Sequence, residues 1–195
     1  MIETLGQASQ REAVEVLGQA FRDHPHMPAD PSGRRSRLMV STLLNTFAAA
    51  PDAQLFGVRR DGRLDCAAFV FDAGYQPHGI DLMLFLIRMV RVLGWRTSCA
   101  FAQVLSEKPE REERQLELML IGTRTDCQQR GFGRAMVQHI VAFAHDKGYQ
   151  SVVLEVAKET PAFRFYLREG FLVDKEVALP MMPLCFLRRP FSEPI

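Results

Sequence analysis

The stretch Leu116 to Met136 sets a turn with two glycines, Gly131 and Gly133, between an apolar strand pattern and a helical one. Glycines let backbone N–H groups approach an anion closely, and the unpaired N–H groups and dipole of a helix N-terminus favour a phosphate or pyrophosphate. The turn Gln128-Gln129-Arg130-Gly131-Phe132-Gly133 is therefore a candidate phosphate cradle. A dinucleotide fingerprint, G-x-G-x-x-G, needs a third glycine where Met136 stands, and a P-loop needs a lysine that follows neither Gly131 nor Gly133. A second reactive group is Glu155, set in the apolar run Val152 to Val156, where an unpaired carboxylate is costly and a site or a structural partner must explain it. Glu117, on the strand before the turn, shares a face with Met119, Ile121 and Thr123 by the two-residue period. Cys127 adjoins the turn, but no histidine lies nearby to activate it. His24 and His26 have metal-like spacing without a third ligand, and His139 and His145 read as surface or packing residues, so no metal is expected.

The elements that position these groups follow from periodicity and turn chemistry. Ser9-Gln10-Arg11-Glu12 reads as a capping box before a helix carrying Ala13, Val16, Leu17 and Phe21, which ends near Pro25. A second helix runs from about Arg35 to Ala49 and stops at Pro51-Asp52. Asp61-Gly62 between Leu55–Arg60 and Leu64–Phe71 predicts a tight antiparallel hairpin. Residues 80–94 and 97–107 read as one long or two shorter helices, followed by a charged, solvated connection from Glu107 to Arg114. Then come a strand at 116–123, the cradle, a helix from about Gly133 to Lys147 capped by Gly148, and a strand at 151–156. Thr160-Pro161 opens a last helix that ends at Gly170, before strands near 171–177 and 184–188.

The chain has 195 residues, 47% hydrophobic and 24% charged, which suits one domain with a sizeable core. With 24 Lys+Arg against 23 Asp+Glu, the formal charge of +1 provides no broad field for a polyanion, so nucleic acid is not an expected partner. Cys66, Cys99, Cys127 and Cys185 are too scattered for a disulfide framework or zinc site and read as reduced thiols of a cytoplasmic protein. The N-terminus lacks the basic flank and apolar block of a signal peptide. The most apolar run, Ile80 to Trp95, contains Asp81, Arg88 and Arg91 and is shorter than the ~20 residues of a membrane span, so no membrane is expected. Its residues Met83, Leu84, Phe85, Leu86, Ile87, Met89, Val90 and Leu93 read as core by default; any that faced a cleft with Phe21, Met27 or Trp95 would favour a small amine with apolar bulk.

Gln128-Gln129-Arg130-Gly131-Phe132-Gly133 resembles the Q/R-x-x-G-x-G/A acyl-CoA signature of the GNAT acetyltransferases. Downstream, Leu154-Glu155-Val156 and then Ala162-Phe163-Arg164-Phe165-Tyr166 before Gly170-Phe171 are similar to the family's second signature. The specific resemblance spans 116–171, and the helical insertion at 78–114 with the closing segment 184–190 looks most like small-molecule acetyltransferases related to puromycin acetyltransferase. Thr125 stands where many members have Pro, and Glu159 where many have an Asn that contacts the cofactor arm. The resemblance implies a single α/β (α+β) domain over residues 1–195, with a central mixed, mostly antiparallel sheet flanked by helices: helices and hairpin at 1–75, insertion at 78–114, acyl-CoA core at 116–171 and C-terminal strands at 171–190. It implies acetyl-CoA as co-substrate, with Ile121, Gly122 and Thr123 pairing with the pantetheine arm and Gln128, Gln129, Arg130, Gly131, Phe132, Gly133 and Arg134 around the pyrophosphate. Arg130 and Arg134 stand equally well as phosphate partners or as solvated surface.

Acetyl transfer to an amine needs a base to take the ammonium proton and an acid for the departing thiolate. By resemblance Glu117 is the first choice of base, and Glu155, a carboxylate inside an apolar strand, is the second, against readings as a solvated strand-edge charge and a structural carboxylate. Tyr166 matches the family position whose phenol protonates the leaving sulfur, against a reading as a core aromatic. The expected activity is direct acetyl transfer to a primary amine of a small molecule, by a monomer or homodimer. The rivals are an inactive CoA-binding sensor or sequestering protein, and an enzyme that acetylates a protein N-terminus or lysine.

Overall fold

The computed structural model describes residues 1–24, 27, 29–109, 114–179 and 183–191. Seven strands, β1 (Ile2–Thr4), β2 (Gln54–Arg60), β3 (Arg63–Asp72), β4 (Gln115–Thr123), β5 (Ser151–Ala157), β6 (Leu172–Val177) and β7 (Leu184–Pro190), form one sheet in the order β1-β2-β3-β4-β5-β7-β6. Only β4 and β5 run parallel; the other neighbours are antiparallel. The sheet is thus mixed and mostly antiparallel, as anticipated, with β1 added at its edge. Three residues are too few for β1 to display a period.

Strand β3 shows how the two faces are filled. Cys66, Ala68 and Val70 join a core with Met136, Ile140, Leu154 and Phe171, while Ala67, Phe69 and Phe71 join another with Val16, Leu17, Val40 and Phe85. Helices α5 (Phe132–Asp146) and α6 (Pro161–Arg168) therefore cover one face, and α1 (Gln10–Phe21), α2 (Arg34–Phe47) and α3 (Gly79–Leu93) the other. Helix α4 (Trp95–Ser106) extends that second layer, with Val104 against Val177, Leu184 and Phe186. Helix α3 departs from the expectation that its run is core. Phe85, Met89, Val92 and Leu93 are buried, yet Leu84, Leu86 and Ile87 are exposed and Met83 is 53% exposed, because only one stripe of this largely apolar helix has neighbours to pack on. Phe21 and Met27 pack partly buried on this core, while Trp95 is 72% exposed. No helix among the described residues is long and apolar enough to cross a membrane.

The sheet opens at its centre. In the β3–β4 register Phe69 lies opposite Leu120 but Val70 opposite Leu118, so Met119 is an extra residue in β4. Such a bulge bends the strand that carries it. Strands β4 and β5 pair only at Gln115↔Ser151, Leu116↔Val152 and Glu117↔Val153. Beyond these rungs β4 stays with β3 and β5 stays with β7, and a fork opens between them.

The turns behave largely as their residues dictate. Asp61 and Gly62 both take positive φ, at 51° and 77°, the two-residue geometry that matches strand twist. Thr160 caps α6 by accepting the Phe163 N–H at 3.1 Å, with Pro161 in the first turn. The Ser9–Glu12 box is a correction: Ser9 is already helical at the end of a short 3-10 turn and makes no capping bond. Glu12 reaches across to the hairpin instead, accepting from the Leu64 N–H at 2.8 Å and from Arg59 Nη1 at 2.8 Å. These bonds, the Leu64 N–H foremost, hold the Glu12 carboxyl below its ordinary pKa. A native value below the unfolded one makes the contribution complete above the usual carboxylate range and lost as pH falls through the lowered value. Glu12→Ala should cost about 1 kcal/mol at pH 7 in urea unfolding, after allowance for partial exposure. The deficit should shrink toward zero at acid pH; a pH-independent difference would show that the tie contributes through packing alone.

Candidate active site

The Met119 bulge inverts the side-chain alternation of β4. Leu116 and Leu118 enter the α5-side core, whereas past the bulge it is Ile121 that packs there and Leu120 that enters the α1-side core. Glu117 therefore faces the α1–α4 layer with Leu120 and Gly122, and not with Ile121 and Thr123 as a regular period predicts. Met119 keeps Glu117's side, packed against the α1-side core. Thr123 lies opposite Cys66 on the other face and donates its hydroxyl to the thiol at 3.3 Å. Gly122 has a packing reason of its own: a Cβ there would stand 2.6 Å from the Ala20 Cβ of α1. Among the described residues, β4 has no strand partner on its β5 side from Leu118 to Thr123.

At the mouth of the fork the two anticipated carboxylates meet. Glu117, 5% exposed, sits on the last shared rung, and Glu155 follows on β5 past the split. Leu154 and Val156 fill the α5-side core, so Glu155 shares the face of Glu117. Lys108 joins them: its Nζ is 3.0 and 3.2 Å from the Glu117 oxygens and 2.8 Å from Glu155 Oε1. The 107–114 connection read as solvated is thus corrected at Lys108, whose side chain is 22% exposed. Residues 110–113 lie outside the described residues. At its end Arg114 stacks on the Tyr149 ring at 4.3 Å and pairs with Asp52 at 3.0 Å. The sequence signal for Lys108 existed only in Glu155, a buried charge that called for a partner.

Tyr166 lies on the opposite face of the sheet. It is buried in the α5-side core with its ring 5.2 Å from Phe165 and 5.4 Å from Phe171. Burial raises its phenol pKa, and the Cys66 thiol adds to the effect, so Tyr166 keeps its proton across the physiological range. The sheet thus carries a paired set of carboxylates on one face and a protonated phenol in the core of the other.

The cradle lies beyond the end of β4. Gln129 and Gly131 adopt positive φ, at 62° and 82°, and α5 begins at Phe132 with no side-chain cap. The first bonded amide of the new helix is Ala135, to Gly131 O at 3.0 Å. Among the described residues, nothing accepts from the N–H groups of Gln129 to Arg134, which is the donor set an anion needs. Gly131 has open space around its missing Cβ, and at Gly133 a Cβ would meet only the Phe165 ring at 3.8 Å. Gln128, Gln129 and Arg130 are exposed, whereas Arg134 is held by the buried Glu169 at 2.8 Å.

Residues that sequence reasoning missed brace this loop from behind. The Arg124 N–H donates to Asp65 O at 2.9 Å, Arg63 Nη1 donates to Asp126 at 2.9 Å, and the fully buried Asp65 takes Arg60 at 3.1 Å and Arg63 at 3.0 Å. Asp65, a charge within an apolar strand, carried the same kind of signal as Glu155. Arg60 also stands 5.8 Å over the Phe132 ring. Cys127 is buried and accepts from Arg63 at 3.2 Å; burial pushes its thiol pKa up, away from a nucleophilic thiolate. His26 lies outside the described residues, His24 stands beside Phe21, and His139 packs on Phe56, where burial lowers its pKa. No group of three or more metal-type side chains occurs among the described residues.

Glu159 is exposed in the turn from β5 to α6 with φ of +65°, a left-handed conformation that Asn tolerates better than Glu. Glu159→Asn should raise stability by about 0.5–1 kcal/mol, roughly 2 °C in Tm, while Glu159→Ala should bring no gain. Equal midpoints for Asn and Ala would remove strain as the reason.

The chain matches the family model described as acetyltransferase (GNAT) family over residues 26–171. Its fold is similar to that of a histone acetyltransferase HPA2 and related acetyltransferase from Corynebacterium glutamicum, with TM-score 0.72 at 20% identity over 100% of this chain and 97% of that one. It is also similar to the ribosomal-protein-S18-alanine N-acetyltransferase from Escherichia coli (TM-score 0.63, 14% identity, 100% and 95% covered). A third likeness is to the PaiA N-acetyltransferase from Thermoplasma acidophilum in complex with coenzyme A (TM-score 0.64, 12% identity, 98% of each chain). No curated protein matches the sequence. With the family model covering most of the chain, and a forked sheet that leads to unpaired amides at the start of α5, the protein belongs to the GNAT family of acetyl-CoA-dependent acetyltransferases.

Proposed function

We propose that this enzyme moves the acetyl group directly to a primary amine of a small molecule while donor and acceptor are bound together. The observation that carries the reading is the fork itself, with Glu117 and Glu155 on one face and the protonated Tyr166 on the other. The amides of Gln129 to Arg134 and the dipole of α5 hold the diphosphate, with the exposed Gln128 and Arg130 at its rim. The β4 edge from Ile121 to Thr123 takes the amide-bearing arm as an added strand would be taken. Acetyl-CoA supplies an acetyl group activated as a thioester. Glu117 accepts the proton of the acceptor ammonium, Glu155 helps hold that cation, and the Tyr166 hydroxyl donates to the sulfur as it leaves. A small acceptor suits the layering, because the α3–α4 insertion lies on the same side as the carboxylates and its following residue Lys108 closes over them. The buried thiols of Cys66, Cys127 and Cys185 suit a reducing compartment such as the cytoplasm.

Calorimetry should give micromolar binding of acetyl-CoA and CoA but not ATP. Gly131→Val should lose that binding at least tenfold, because a β-branched residue must take the φ of +82°. Glu117→Gln and Tyr166→Phe should keep the acetyl-CoA Kd, with kcat lowered by about 10²–10⁴-fold and 10²-fold. Unchanged thiol release by either variant would remove that residue's role. Saturable binding with no thiol release across an amine panel would make the protein a CoA binder, and release with peptide amines alone would move the acceptor to proteins.

A further inference from the structure

The ammonium group of Lys108 occupies the place where an acceptor amine would be handled. Its Nζ lies within 3.2 Å of both oxygens of Glu117 and 2.8 Å from Glu155, bridging β4 and β5 where their pairing ends. An acceptor needs its amine next to the base and next to the gap that receives the thioester, and Lys108 meets the first condition by direct contact and the second by its seat at the fork. We infer that Lys108 is itself an acetylation site of this enzyme, modified within its own chain; the inference rests on the acyl-transfer reading above.

The reaction balances with acetyl-CoA as the only co-reactant. The Lys108 nitrogen attacks the thioester carbonyl, a C–N bond forms and the C–S bond breaks. Of the two protons the ammonium gives up, one passes to Glu117 and on to solvent, and the other reaches the departing sulfur by way of Tyr166. The products are an acetylated Lys108 and free CoA. An amide cannot bridge two carboxylates as an ammonium does, so the modification exchanges the internal cation at Glu117 and Glu155 for whatever ammonium enters next. The other three lysines provide an internal control: Lys147, Lys158 and Lys175 pair with Asp52, Glu176 and Glu107, none of which lies on β4 or β5.

The full chain is incubated with acetyl-CoA and no acceptor, and acetylation is followed by peptide mass spectrometry alongside calorimetric acetyl-CoA binding. Lys108 should gain one acetyl group at least about tenfold faster than Lys147, Lys158 or Lys175, with a rate constant independent of protein concentration, as a tethered amine requires. Glu117→Gln should slow the modification at least tenfold while acetyl-CoA still binds, and Lys108→Arg should abolish it with the charge at the fork retained. Acetyl-CoA binding with Lys108 unmodified, or modified no faster than the other lysines, overturns the inference and leaves the acyl-transfer reading standing. A rate that rises with protein concentration overturns it too, since the acceptor is then another copy. Failure of acetyl-CoA to bind overturns both.

Discussion

A central strand of a hydrogen-bonded sheet commits its N–H and C=O groups to two neighbours and has nothing to offer a ligand. The extra residue Met119 removes that obstacle in β4. It bends the strand away from β5 after three shared rungs, so that a length of β4 edge becomes available in the middle of the sheet. The same inserted residue reverses which side chains face which layer. Glu117, before the bulge, is delivered to the α1–α4 face, while Ile121 and Thr123, after it, turn toward α5 and α6. A regular strand would have put a base candidate and the edge residues on one side. The irregular one separates them, and Tyr166 lies in the core on the face opposite the carboxylates.

Electrostatics then set what each face can hold. Two carboxylates in a partly buried site repel and lose hydration, and they persist there with a cation between them. Lys108 is that cation among the described residues, and it arrives from the connection after α4, so the insertion between β3 and β4 completes the site as well as covering the sheet. On the opposite face an apolar setting does different work: it keeps a phenol protonated. The two faces of the sheet thus hold paired carboxylates on one side and a neutral phenol on the other, by placing burial differently.

Most of the fold was legible because it rests on local rules. Asp61-Gly62, Thr160-Pro161 and Gly148 each fix a backbone conformation through their own covalent nature, and all three act in the structure as their types dictate. The cradle was legible for the same reason, since glycine at a strand-to-helix turn is a local requirement. The side to which Glu117 points was not, because a strand of mixed apolar residues carries no mark for the position at which one residue is inserted. Lys108 was hidden by its company: in a run of charges each residue looks solvated, and only the third dimension distinguishes the one that is drawn in. The Ser9–Glu12 box misled for a related reason, as Glu12 found a stronger donor pair in Leu64 and Arg59, residues distant in sequence.

The acceptor side of the proposed reaction follows from the same pair of carboxylates. An incoming amine reaches Glu117 only as Lys108 yields its place, so the acceptor must offer what Lys108 offers: a cation that satisfies both Glu117 and Glu155. A neutral amine would leave two carboxylates exchanging an ion pair for weaker bonds, at a cost that grows with burial. An ammonium replaces the lost pair in kind and gives up its proton to Glu117 only when the thioester is at hand. The site therefore favours amines that are charged in solution and become nucleophiles within the fork. The exposed apolar residues of α3 have no charge with which to compete for the carboxylates, so the selection of the amine rests with Glu117 and Glu155.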